Sequence, residues 1–142
     1  MSTQHTEDRI LAALEEDAQA SYAEIADRAG VSKPTVRKYI DRLEDDGVIV
    51  GYSADVDPKK LSGQSIALVG IDVDSGRYVE TVRTLKTLDA IEALYSSSGD
   101  HMLMAEVRAP DGDAVGAVIN DAILAVEGVG AAHPSFLQER LK

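Results

Sequence analysis

Through residues 1–50 the apolar positions recur at helical spacing; from Ser65 onward, strand-type stretches of β-branched and aliphatic residues take turns with helical ones. Ile10, Leu11 and Leu14 predict a first helix over Thr6 to Leu14. Ser21 opens a second, with Glu24 completing a capping box and Tyr22, Ile25, Ala26 and Ala29 turned inward. After a short break at Gly30 and Val31, Ser32 can cap a third helix that tolerates Pro34 in its first turn and stops at Gly47. At ~100° per residue from Val36, Ile40 lies near 40°, Leu43 near 340° and Tyr39 near 300°, one apolar stripe. Pro34, Arg37, Lys38 and Arg42 fall between about 100° and 240°, on the other side. The expected core is Ile10, Leu14, Ile25, Ala26, Val36, Ile40 and Leu43.

Val48 to Tyr52 has strand composition, and Asp57-Pro58 and Ser62-Gly63 punctuate a connector. Residues 1–50 therefore read as one domain, 51–63 as a linker strand and hinge, and 64–142 as a second domain. In that second domain, Ser65 to Val73 predicts a strand and residues 77–88 a helix with Tyr78, Val82 and Leu85 on one face. Ile91 to Ser98 and His101 to Ala109 read as two strands joined at Gly99-Asp100. Asp111-Gly112-Asp113 caps a helix carrying Val115, Val118, Ile119, Ala122, Ile123 and Val126, and a last strand covers Ala131 to Gln138. The order β-α-β-β-α-β specifies a ferredoxin-like sandwich, so the fold class is α+β: a winged-helix-like helix-turn-helix domain followed by a ferredoxin-like one.

Alternation along the first strand puts Ile66 and Leu68 on one face and Ala67, Val69, Ile71 and Val73 on the other. Met102 and Met104 similarly oppose Leu103, Ala105 and Val107. Helices can cover only one face of such a sheet. The other, equally apolar, is expected to meet its counterpart in a second copy, giving a dimer.

Charge changes the picture of the first domain. The whole chain carries −11, whereas residues 33–42 hold Lys33, Arg37, Lys38 and Arg42 against Asp41 alone, a net of +3 (four minus one). Two short helices joined by a tight turn form a helix-turn-helix, whose second member enters the DNA major groove. Arg37, Lys38 and Arg42 lie opposite its apolar stripe, where phosphate neutralisation needs them. Ser32, Lys33, Pro34, Thr35, Arg37, Lys38 and Arg42 are thus the candidate DNA-contact residues: cations to phosphates, Arg37 or Lys38 to guanine edges, Ser32 and Thr35 near the helix N-terminus. A dimer would suit double-stranded DNA with a palindromic operator.

The acid excess, 15 Asp and 10 Glu against only six Lys, opposes DNA approach at low ionic strength. At ~1 M salt the Debye length is about 3 Å and that repulsion is screened. A salt-rich, halophilic cytoplasm is therefore expected. There is no cysteine, no long apolar run and no leader-like N-terminus, so a cytoplasmic location without a membrane span is the simplest reading.

Taken in order, several segments carry a family resemblance: Asp17 to Ala26, Val31 to Val36, Arg42 to Tyr52, Asp57 to Leu61, Ser98-Gly99-Asp100 and Glu127-Gly128-Val129. The chain resembles the Lrp/AsnC (feast/famine) transcription regulators along nearly its whole length. The resemblance implies a C-terminal dimerisation and effector-sensing domain, homodimers assembling into tetramers or octamers, and a small-molecule effector, an amino acid or another, near the Gly99-Asp100 turn. Effector residues carried over are Ser98, Gly99, Asp100, His101, Met102, Ala132 and Pro134. The chain departs from the family with Tyr39 in place of a recognition-helix arginine, His101-Met102 in place of the turn's Tyr-Asp, and Ala132 and Pro134 where threonines often stand.

Asp100, His101 and His133 could be argued into a metal or pH-responsive group, but three histidines spread over 142 residues lack ligand spacing. No metal or cofactor is expected. Neither is an enzyme, since no phosphate loop or nucleophilic triad motif is present. The alternative of the same architecture resembles siroheme decarboxylase, a haem-pathway enzyme that works with basic and histidine side chains, whereas this second domain is acidic.

Overall fold

A computed structural model of the chain describes residues 3–142. It divides into two compact units, one ending at Asp55 and the other beginning at Val56.

The first unit holds α1 (Thr3–Glu16), α2 (Tyr22–Ala29) and α3 (Lys33–Asp45). Ser21 and Glu24 form the capping box reciprocally: the Ser21 hydroxyl accepts from Glu24 N at 3.1 Å, and Ser21 N donates to the Glu24 carboxylate at 3.2 Å. Such caps stabilise a helix by about 1 kcal/mol. Gly30 takes φ 71° and ends α2, and Ser32 caps α3 by accepting from Thr35 N at 3.3 Å. Ile10, Ala13, Ile25, Ala26, Ala29, Val36, Ile40 and Leu43 form the core of the unit. Leu14 is only half-buried, because Ala13 takes the inward position, and Tyr22 is 43% exposed rather than turned inward. α1 is longer than Thr6 to Leu14 by about a turn.

The strand expected over Val48 to Tyr52 does not form. Among the described residues of this unit none is in a sheet, and Val48, Val50 and Tyr52 stay exposed. Strand composition there has no neighbouring strand to pair with, so the composition alone misleads.

The second unit opens with a short turn of helix, Pro58–Lys60, and then runs β1 (Ser65–Val73), α4 (Tyr78–Leu85), β2 (Ile91–Ser96), β3 (Leu103–Ala109), α5 (Gly112–Ala117) and β4 (Val129–Leu137). The sheet is antiparallel in the order β2-β3-β1-β4, which is the ferredoxin-like arrangement. Its core joins Ala67, Val69, Ile71 and Val73 of β1 and Leu103, Ala105 and Val107 of β3 to Leu85, Val115, Ile119 and Ile123. Thr81 is buried, and its hydroxyl donates to Glu127 O at 3.0 Å, which ties α4 to the loop before β4.

Four details differ from the sequence reading. α4 ends at Leu85, where Lys86 caps it, rather than at residue 88. α5 passes into a wider π-helical segment, Val118–Ile123, closed by Leu124 N donating to Ile119 O at 2.9 Å. Ile119 and Ile123, four residues apart, both stay in the core through this segment. β4 starts at Val129, two residues early. The β2–β3 connection is longer than a tight Gly-Asp turn: Ser98, Gly99, Asp100, His101 and Met102 all lie in it, closed by Ser97 N donating to Met102 O at 2.9 Å. Met102 consequently packs against the core instead of extending the strand.

The face of the sheet away from the helices is less apolar than alternation suggested. Leu68 is 38% exposed there and Met104 and Leu137 lie beside it, but Asp72, the Glu106–Arg108 ion pair (2.9 Å) and His133 share the face.

Candidate DNA-binding and effector sites

Helix α3 turns Val36, Ile40 and Leu43 into the core and leaves Ser32, Lys33, Pro34, Arg37 and Lys38 exposed. Thr35 is half-buried, and its hydroxyl lies 2.8 Å from that of Ser32. Lys33, Arg37 and Lys38 form no salt bridge among the described residues, so their charge is available to a polyanion. Arg42 is held differently. Its guanidinium stands 3.7 Å from Glu7 of α1 and 5.2 Å over the ring of Tyr39. Tyr39 in turn packs against the core. Arg42 thus braces α3 on α1, whereas the free cations cluster toward the helix N-terminal half.

The residues carried over as effector contacts do not all converge. Ser98, Gly99 and Asp100 are exposed in the β2–β3 turn, with Gly99 N donating to the Ser97 hydroxyl at 3.3 Å. Ala132 and Pro134 pair with Ile71 and Val69, so their side chains lie on the helix-covered side, and Ala132 packs against the core. Pro134 is tolerated because β4 is an edge strand. His133, between them, points to the open face.

There the fold assembles a group that the sequence left scattered. His101 reaches back from the turn across Gly70 of β1, and its Nδ1 lies 2.9 Å from Asp72 Oδ1. His133 Nε2 lies 3.0 Å from the other oxygen, Asp72 Oδ2. The two imidazoles stack with centroids 4.5 Å apart and planes 21° from parallel. Hydrogen bonding from His101, then from His133, holds the Asp72 carboxyl below its ordinary range against the desolvation that would raise it. Asp72, not Asp100, is the acid that meets the histidines. No sequence spacing signals it, because β1, the turn and β4 meet only through sheet pairing.

Comparison with known proteins agrees with both halves of the molecule. Residues 5–50 match the winged helix-turn-helix DNA-binding family, and residues 66–142 match the Lrp/AsnC ligand binding domain. Over 142 residues, all of both chains, the protein is 80% identical to the HTH-type transcriptional regulator LrpA1 of Halobacterium salinarum. It is 37% identical over 133 residues, 94% of each chain, to the HTH-type transcriptional regulator LrpA of Pyrococcus horikoshii. The structure of Escherichia coli AsnC shares the fold, with a TM-score of 0.68 at 24% identity, covering 100% of this chain and 95% of that one. These relatives are regulators, which leaves the decarboxylase alternative without support, and the Halobacterium relative agrees with the halophilic composition. With exposed cations on the capped helix α3 and a ferredoxin-like partner domain, this chain belongs to the Lrp/AsnC family of DNA-binding transcriptional regulators.

Proposed function

We propose that the protein regulates transcription as a homodimer, presenting two copies of α3 to a palindromic operator and responding to a small-molecule effector through its C-terminal domain. The single observation that carries the DNA contact is exposed Arg37 and Lys38 opposite the buried stripe Val36, Ile40 and Leu43, with Lys33 exposed in the first turn and none of the three in a salt bridge among the described residues. Phosphate contacts from these cations fix the helix in the groove, and Arg37 or Lys38 reads guanine N7 and O6. Ser32 and Thr35 add contacts near the helix N-terminus, beside Pro34. Arg42 contributes mainly by bracing the helix, since Glu7 and Tyr39 already engage it.

Self-association is supported by two uncovered surfaces. Leu68, Met104 and Leu137 lie on the open sheet face, and Val48, Val50 and Tyr52 lie on an extended segment without a ladder partner. Dimers of this kind can build tetramers or octamers. The effector, an amino acid or another small molecule, is assigned to the neighbourhood of Ser98, Gly99, Asp100, His101 and Met102. Its differential affinity for two assembly states would shift operator occupancy.

Fluorescence anisotropy on a palindromic duplex and on its isolated half-site tests the reading. The palindrome should bind two chains and more tightly than the half-site. Lys38→Ala should weaken binding about fivefold on every sequence, roughly 1 kcal/mol, and lower the log–log salt slope by about one. Equal affinity for both duplexes, with Lys38→Ala indistinguishable from the parent, would remove the proposal.

A further inference from the structure

We propose that Asp72, His101 and His133 form a binding site for a divalent transition-metal ion of the zinc, cobalt, nickel and copper class. One ligand atom from each residue lies within 4.8 Å of the other two. Around a tetrahedral ion with bonds of about 2.05 Å, donor atoms sit roughly 3.3 Å apart. His101 Nδ1 and His133 Nε2 already approach the two Asp72 oxygens at 2.9 and 3.0 Å, one nitrogen to each oxygen, so both imidazoles face the carboxylate and an ion would be reached by side-chain adjustment without moving the strands.

Three features of the surroundings favour a built site over a chance meeting. Gly70 lies beneath the His101 ring, and a Cβ there would stand 2.2 Å from Cδ2, so any larger residue would push the imidazole off. The β1–β4 register shifts between Asp72 and Val73, an irregularity of the kind that re-aims a side chain beside a site. The chain also has only three histidines, and two of them converge on one carboxylate from separate elements.

Two imidazoles and a carboxylate suit borderline ions, whereas magnesium and calcium prefer all-oxygen sets. Lack of cysteine leaves no thiolate to compete for the same ions. Three protein donors leave a coordination position for water or for a donor atom of a small ligand, the arrangement of an open rather than a closed structural site. The site lies on the open sheet face that the proposed dimer would use and shares His101 with the effector assignment, but its test depends on neither, since metal uptake is measured directly.

Cobalt(II) titration of the full chain, stripped with chelator and returned to chelator-free high-KCl buffer, tests the proposal. The expected result is a saturable visible d–d band at one ion per chain, abolished by a stoichiometric amount of zinc(II). His133→Gln and Asp72→Asn should each weaken uptake about tenfold or more while His5→Gln leaves it unchanged. Circular dichroism of each variant establishes that it folds. Proton NMR of the unaltered protein gives a second readout free of mutations: zinc(II) should shift the His101 and His133 imidazole signals and not those of His5. Absence of a saturable band, uptake unchanged in His133→Gln, or zinc shifting only His5 would overturn it.

Discussion

Single positions in this chain do their work through what surrounds them. Arg42 and Lys38 lie on the same helix and are both cations, yet Arg42 is engaged by Glu7 and Tyr39 whereas Lys38 is exposed and in no salt bridge among the described residues. Gly128 shows the same dependence in the second unit. Its φ of 99° lies in the left-handed region, and a Cβ there would stand 2.1 Å from the Thr81 hydroxyl, which is donating to Glu127 O. Gly128→Ala therefore meets both a backbone penalty and a lost buried hydrogen bond. The expected destabilisation is about 2–4 kcal/mol, read as a lowered midpoint in thermal or denaturant unfolding. An unaltered midpoint would show that the α4–β4 junction relaxes freely.

At the scale of elements, short-range chemistry sets where helices begin, and pairing sets where strands do. Asp57 belongs to the first kind and also reaches further. It caps the Pro58–Lys60 turn by accepting from Lys59 N at 3.1 Å, and the same oxygen accepts from Arg140 N at 3.0 Å, pinning the C-terminal tail. The Arg140 hydrogen bond, followed by that of Lys59, holds the carboxyl below its ordinary value of 3.8 despite some desolvation. A lowered folded pKa stabilises the native state above the unfolded value and loses that contribution as pH falls from about 3.8 through the folded value. Asp57→Asn should accordingly be less stable than the parent near neutrality and converge on it as pH falls below about 4, which flattens the acid limb in denaturant melts at stepped pH. An acid limb identical to the parent's would dissociate Asp57 from the effect.

For the whole molecule, charge is the governing quantity. A net −11 with four of fourteen cations gathered between residues 33 and 42 gives a basic patch on a repelling body. Salt has two opposed consequences. It screens repulsion among the acids, and it weakens phosphate contacts by reducing the gain from counterion release. Unfolding midpoints should thus rise with KCl into the molar range, and the 80% identity to a Halobacterium regulator points the same way. Calorimetry across a KCl series reads this directly; greatest stability at low salt would exclude adaptation to brine.

Local signals in the sequence determined much of the architecture. The capping box at Ser21 and Glu24, the cap at Ser32, the stripe Val36–Ile40–Leu43 and the alternation in Ser65–Val73 each depend on residues within a few positions of one another. The outward direction of Arg37 and Lys38 followed from the same periodicity. Tertiary structure alone decided which polar groups meet. The pairing that puts β1 between β3 and β4 brings Asp72 to His101 and His133 and turns Ala132 and Pro134 away from the open face, while within the first unit Val48 to Tyr52 pairs with no strand among the described residues. Periodicity reports the face on which a residue lies, whereas register and the path of a connecting turn fix its neighbours, and those are properties of the folded sheet.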